Sequence, residues 1–126
     1  MWLGIVRGEM SAGAPVLTPR ERQLGGCCKA FVEPDLSPAD AVELAAVLKA
    51  LADPTRLRIV DTIRKAAPEA VCQCELLPLF EMSQPALAKH LKVLIAAGVI
   101  ATERRGLWAY YYLVEDATEE LSAWLS

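Results

Sequence analysis

At 126 residues the chain is long enough to bury one core, and 54% apolar residues is more than a small soluble monomer needs, so part of that surface is expected at a subunit interface. No run approaches the roughly eighteen apolar residues that cross a bilayer, which excludes a membrane span. The net charge of −3 speaks against a nucleic-acid binder until it is divided along the chain. Residues 46–114 carry nine Lys/Arg against six Asp/Glu, while residues 1–45 carry four against six and residues 115–126 none against four. The middle is basic and the flanks acidic, and a DNA duplex responds to the local field.

Residues 1–36 are read as a flexible arm. The first ten residues are too short and mixed for a signal peptide, and Met10 is an alternative start. Residues 11–26 are rich in Gly, Pro, Ser and charge. Leu24-Gly25-Gly26-Cys27 imitates a lipoprotein box, but the charged residues before it leave no apolar segment. Cys27 and Cys28 then stand together beside two glycines, a setting that suits thiol chemistry better than packing. Four cysteines with no secretion signal point to reduced thiols in a cytoplasm, available for metal or redox chemistry. The single histidine, His90, excludes most imidazole zinc sites and any multi-His catalytic centre.

Residues 37–126 are expected to form one DNA-binding and dimerisation domain. Ser37-Pro38-Ala39-Asp40 combines a cap, a first-turn proline and an acid at the positive end of a helix. Val42, Leu44, Val47, Leu48 and Leu51 give that helix two apolar faces, one for the core and one for a partner subunit. Asp53-Pro54-Thr55 opens a second helix to about Lys65, with Leu57, Ile59, Val60 and Ile63 inward. Arg56, in its first turn, is placed to touch a phosphate; Arg64 and Lys65 read as a solvated face. A short third helix is expected over Glu75–Phe80, shortened or kinked by Pro78.

Ser83 caps the next helix, with Gln84 and Pro85 in its first turn. Leu87, Leu91 and Leu94 keep the helical period inward, which leaves Gln84, Ala86, Lys89 and His90 outward near its start. Gly98 stops it. The period then changes: residues 99–103 and 108–113 are β-rich, joined by a basic tip with Arg104, Arg105 and Gly106. A last helix over 116–125 carries Leu121, Trp124 and Leu125 as an apolar stripe suited to a second subunit. Helices, a capped helix and a basic hairpin make a mostly α, dimeric winged helix-turn-helix. Gln84 can read adenine edges, Lys89 and His90 can reach bases or phosphates, and Arg104 and Arg105 can reach the backbone or minor groove. No nucleophile–base–acid set is present, and Cys72-x-Cys74 has no βαβ context for a thiol oxidoreductase.

The segments LKALADPTRLRIV, VCQCEL, SQPALAKHLKVL and AGVIATERRGLWAYYYL resemble the ArsR/SmtB family of metal-sensing repressors, over about residues 41–125. The resemblance implies a homodimer, built by the first and last helices, that binds operator DNA and leaves it when a metal or metalloid binds. The family's C-x-C-[DE]-L motif falls on Cys72, Cys74, Glu75 and Leu76; where one type of arsenic sensor has a third cysteine, this chain has Leu77. A trigonal As(III) or Sb(III) site needs three thiolates, which Cys27 and Cys28 would complete. Four thiolates would suit Cd(II), Pb(II) or Zn(II), and paired cysteines would also suit a redox switch. The family's zinc site on the last helix needs a histidine that this helix lacks. Ala88, where the family usually has Ser, and Pro78 depart from its pattern.

Overall fold

The structure, a computed structural model, describes residues 32–126. The arm's Cys27 and Cys28 therefore lie outside the described residues. Three helices start by one local rule: a short polar side chain caps the free N–H groups, and proline sits in the first turn, where a missing N–H costs nothing. Ser37 Oγ accepts from Asp40 N–H at 3.1 Å and opens α1, Pro38–Leu51. Asp53 Oδ2 accepts from Arg56 N–H at 3.0 Å and opens α2, Pro54–Ala66. After β1 (Val71–Cys72) and α3 (Gln73–Leu76), Ser83 Oγ accepts from Ala86 N–H at 3.3 Å and opens α4, Gln84–Ala96.

The end of α4 is fixed by glycine. Gly98 takes φ +77°, its N–H donates to Ile95 C=O at 3.0 Å, and Val99 N–H donates to Leu94 C=O at 3.0 Å. That doubly bonded reversal satisfies carbonyls the helix leaves open, and it drops Val99 into the core beside Leu94. The chain then runs out as β2 (Ile100–Arg105), turns, and returns as β3 (Trp108–Leu113) before α5 (Glu115–Leu125). The turn is only Gly106-Leu107, because Arg105 pairs with Trp108. Gly106 has φ +64°, the conformation a two-residue hairpin needs at its first central position.

The core gathers one face of each element. Ile59 and Ile63 of α2, Leu76 of α3, Leu87, Leu91 and Leu94 of α4, then Val99 and Ile100 are almost wholly enclosed. The 4- and 3-residue spacing along α4 turns the opposite face to solvent. Val47, expected at a subunit interface, is instead 9% exposed and packed in the chain's own core. The period of α1 explains this correction: Leu44, Val47 and Ala50 share the inward face, and Val42, 71% exposed, lies on the outward one.

Two further expectations change. The short helix starts at Gln73 rather than Glu75 and ends at Leu76; Leu77–Leu79 is a 3-10 turn. Pro78 cannot donate to an α-helical carbonyl, so the α-helix stops before it. The sheet also has a third strand, since β1 pairs antiparallel with β3 in the order β1-β3-β2. No helix among the described residues is long and apolar enough to cross a membrane.

Candidate nucleic-acid interface and thiol site

The outward side of α4 is the candidate reading surface. Gln84 and Lys89 are exposed, and Ala86 and His90 half-buried, all within two turns of the Ser83 cap. The wing adds cations, but on different faces. Residues alternate across a strand, so Arg104 and Arg105 point apart. Arg104 lines the same cleft as Gln84. Arg105 lines another, with Glu69, Glu103 and Glu115. Its guanidinium lies 5.5 Å from the Tyr110 ring centroid and 3.6 Å from Glu103 Oε2, in an exposed pair of little energetic weight.

Arg56 does not face outward as expected for a phosphate contact. Its Nε donates to Ala50 C=O at 2.5 Å and an Nη to Lys49 C=O at 3.5 Å, both at the C-terminal end of α1. There it meets two carbonyls and the negative end of the α1 dipole. The other Nη is 3.5 Å from Nδ1 of His90, so Arg56 bridges α1 and the reading helix. The backbone N–H of Arg56 on the Asp53 carboxylate lowers that acid's pKa below its ordinary 3.8, aided by the cationic side chain. Arg64 is a solvated residue, paired at 2.8 Å with exposed Asp61. Arg58 is exposed, and its guanidinium lies over the Phe80 ring at 5.2 Å, a stacking that spacing along one helix does not reveal.

The thiol site sits one element ahead of the reading helix. Cys72 is 3% exposed and ends β1; Cys74 is exposed on α3. Cys72 Sγ accepts from Cys74 N–H at 3.3 Å, and Glu75 Oε1 accepts from Cys72 N–H at 3.3 Å. This is a reciprocal capping box with cysteine in the usual place of Ser or Thr. The Cα atoms of Cys72 and Cys74 are 5.2 Å apart, within disulfide range, and their two sulfurs are in direct contact. The start of α3 thus brings both sulfurs to one point. Among the described residues no group of three or more His, Cys, Asp or Glu side chains could hold a metal ion.

A cleft of about 350 Å³ joins the two surfaces. Cys72, Cys74 and Leu77 form one wall, and Leu107, Trp108 and Ala109 of the wing the other. Gln84 and Arg104 complete it. Sequence reasoning missed Trp108 and the pairing of Cys72 with Tyr110, because a two-residue strand has no period to detect.

At the opposite side of the domain, α5 keeps Leu121 half-buried and leaves Trp124 52% and Leu125 69% exposed. Leu36, Leu44 and Trp124 line a shallow cleft of about 310 Å³ between α5 and α1.

A capped reading helix, the elements before it and an antiparallel two-residue-turn wing define a winged helix-turn-helix regulator. Residues 53–102 match the bacterial regulatory protein, arsR family. The chain is 40% identical over 73 residues to the arsenical resistance operon repressor of Bacillus subtilis, covering 58% of this chain and 68% of that protein. It is 39% identical over 79 residues to the arsenic resistance transcriptional regulator ArsR1 of Pseudomonas putida, covering 63% and 60% respectively. Among solved structures it is similar to the transcriptional repressor BigR from Xylella fastidiosa, at 30% identity and TM-score 0.55 over 68% of this chain and 85% of that one. The chain belongs to the ArsR family of transcriptional repressors, and it is not an enzyme.

Proposed function

We propose that this repressor acts in the cytoplasm as a homodimer on operator DNA and is released by arsenite or antimonite bound to cysteine thiolates. The observation that carries the reading is the placement of Cys72 and Cys74. Both sulfurs meet at the start of α3, and α3 leads through one 3-10 turn to the Ser83 cap of α4. Thiolates without nitrogen donors suit a soft trivalent ion. Cys27 and Cys28 would complete the donor set, in cis or from the second subunit. Binding would tie the arm to α3 and move the two α4 helices away from their half-site spacing. A coupling of about 1–3 kcal/mol would release DNA appreciably.

The test is X-ray absorption at the arsenic edge on the reduced full-length chain. Three sulfurs per arsenic are expected, dropping in the Cys27→Ser/Cys28→Ser variant. Oxygen-only coordination would reject the site. Four-sulfur coordination of Cd(II), Pb(II) or Zn(II), at higher affinity than arsenite, would favour those ions instead.

A second reading has its own support in the closeness of the Cys72 and Cys74 sulfurs, whose Cα separation of 5.2 Å suits a disulfide. Here oxidation of the pair is the signal. Peroxide would then change operator affinity in the wild type but not in Cys74→Ser, and arsenite would change neither.

A further inference from the structure

The wing ends in an apolar point on a cationic hairpin. The turn is Gly106-Leu107 alone, and Leu107, at 90%, is the most exposed large apolar side chain among the described residues. Trp108 beside it is 55% exposed. Single exposed leucines are common and mean little by themselves. Three features set this one apart. Arg104 and Arg105 stand directly before the turn, so the apolar tip is carried by two cations and complements a polyanion. The stalk is fixed, because β2 and β3 pair at every residue from Ile100–Leu113 to Arg105–Trp108, and folding Leu107 back into the core would break that ladder. Finally, Leu107 and Trp108 border the cleft that also holds Arg104 and Gln84, the first residue of the reading helix.

From this juxtaposition we infer that Leu107 is a wedge for duplex DNA: it enters the minor groove beside the half-site, partly unstacks one base step and bends the operator. With α4 in the major groove, the cleft between Gln84 and the wing takes the intervening sugar–phosphate strand. The tip then meets the next minor groove, about 6 Å wide, which excludes a helix but admits a side chain from a two-residue turn. An apolar side chain inserted there opens a base step and kinks the duplex toward the major groove. Arg104 and Arg105 neutralise the phosphates beside it. The Arg105–Glu103 pair is exposed and weak, so a phosphate can replace it. The inference rests on the operator-binding reading above and adds deformation of the DNA to it.

The wedge gives the repressor a second source of sequence preference. Pyrimidine–purine steps, TA and CA/TG, unstack most easily. One of them under the tip costs less to open than a stiff A-tract would, although no side chain reads its bases. The reading helix selects by contact and the tip by deformability. Leu107 is no part of the core, so replacing it tests the DNA and not the fold.

The experiment uses the reduced full-length protein and operator duplexes in which 2-aminopurine replaces one adenine at a time. The duplexes carry an energy-transfer donor and acceptor at their ends, so unstacking, bending and affinity are read together. Wild type is expected to raise 2-aminopurine emission at one step beside each half-site and to shorten the end-to-end distance. Leu107→Ala should lose both effects while its affinity falls by about tenfold or less, the scale of one lost contact. Leu107→Met, still an apolar wedge, should restore both. Arg104→Ala, by contrast, should weaken binding and keep the emission rise. Binding by wild type with no emission rise at any position would overturn the wedge and leave operator binding intact. An emission rise that survives in Leu107→Ala would overturn it too. So would a change in sedimentation of Leu107→Ala without DNA, which would make the tip a protein contact. Failure of wild type to bind the operator would sink the operator reading and the wedge with it.

Discussion

Cys72 and Tyr110 face each other across the β1–β3 ladder, so a sulfur of the thiol site lies in the sheet that carries the wing. The neighbouring step is bonded too: Tyr111 O–H lies 3.5 Å from Gln73 Oε1, a long hydrogen bond between wing and α3. Events at Cys72 therefore have two exits, one through α3 to the reading helix and one through β3 to the wing.

Cys72 has a structural duty apart from any ligand, because its sulfur caps α3. Serine can take over that cap and alanine cannot. Cys72→Ala should lower stability by about 1 kcal/mol or more, from the lost cap and the emptied buried position. Cys72→Ser should lose less. Urea denaturation of the reduced proteins measures both; equal losses would show that the cap contributes nothing.

Arg56 should behave as a tie within the domain. Arg56→Ala leaves two α1 carbonyls without their charged donor and should cost about 1–3 kcal/mol. Arg56→Lys should recover little, since one ammonium cannot reproduce the forked contact. Binding to operator should keep its salt slope in Arg56→Ala, whereas Arg104→Ala should reduce the slope by about one. A slope that falls in Arg56→Ala would place that guanidinium on a phosphate.

Much of this domain is legible in its sequence. The caps at Ser37, Asp53 and Ser83, the inward leucines of α4 and the glycine stop at Gly98 each follow from a local rule, and each is observed. Side-chain partners are less legible: Val47, Arg56 and Arg58 are placed by their position on one helix, but what they touch comes from elsewhere in the chain: the core, the end of α1 and Phe80. The cleft at Trp108 is likewise built by segments some thirty residues apart, a closeness that no periodicity encodes. For the thiol site, Cys72 and Cys74 were legible from their spacing, and their link to β3 was not.

Asp53 gives the fold an acid-sensitive cap. Its folded pKa lies below the ordinary 3.8, chiefly because the Arg56 N–H stabilises the carboxylate. A depressed acid contributes stability that is present above its unfolded pKa and lost as pH falls through its folded pKa. Asp53→Asn keeps a neutral capping oxygen and removes the charge. The stability gap between wild type and Asp53→Asn should thus be full near pH 6 and close below the usual aspartate range of about 3.9. A gap that is constant across this window in thermal melts would assign it to something other than the carboxylate.

The exposed stripe at the end of α5 predicts the assembly. Trp124 and Leu125 lie largely in solvent in one chain, and Trp124 lines a cleft with Asp40, Glu43 and Leu44 of α1. Trp124→Asp/Leu125→Asp should shift sedimentation from dimer to monomer and weaken operator binding, while leaving the helix content unchanged. A variant that remains dimeric would move the interface away from α5.

The most direct test of the central claim is operator release by arsenite, followed by anisotropy at fixed salt on reduced wild type and Cys72→Ser. Both proteins should bind the operator alike without arsenite. Wild type should then leave the DNA as arsenite is added, and Cys72→Ser should stay bound. Equal release of both would contradict a thiolate signal at Cys72, and no release of either would contradict an arsenite-responsive repressor.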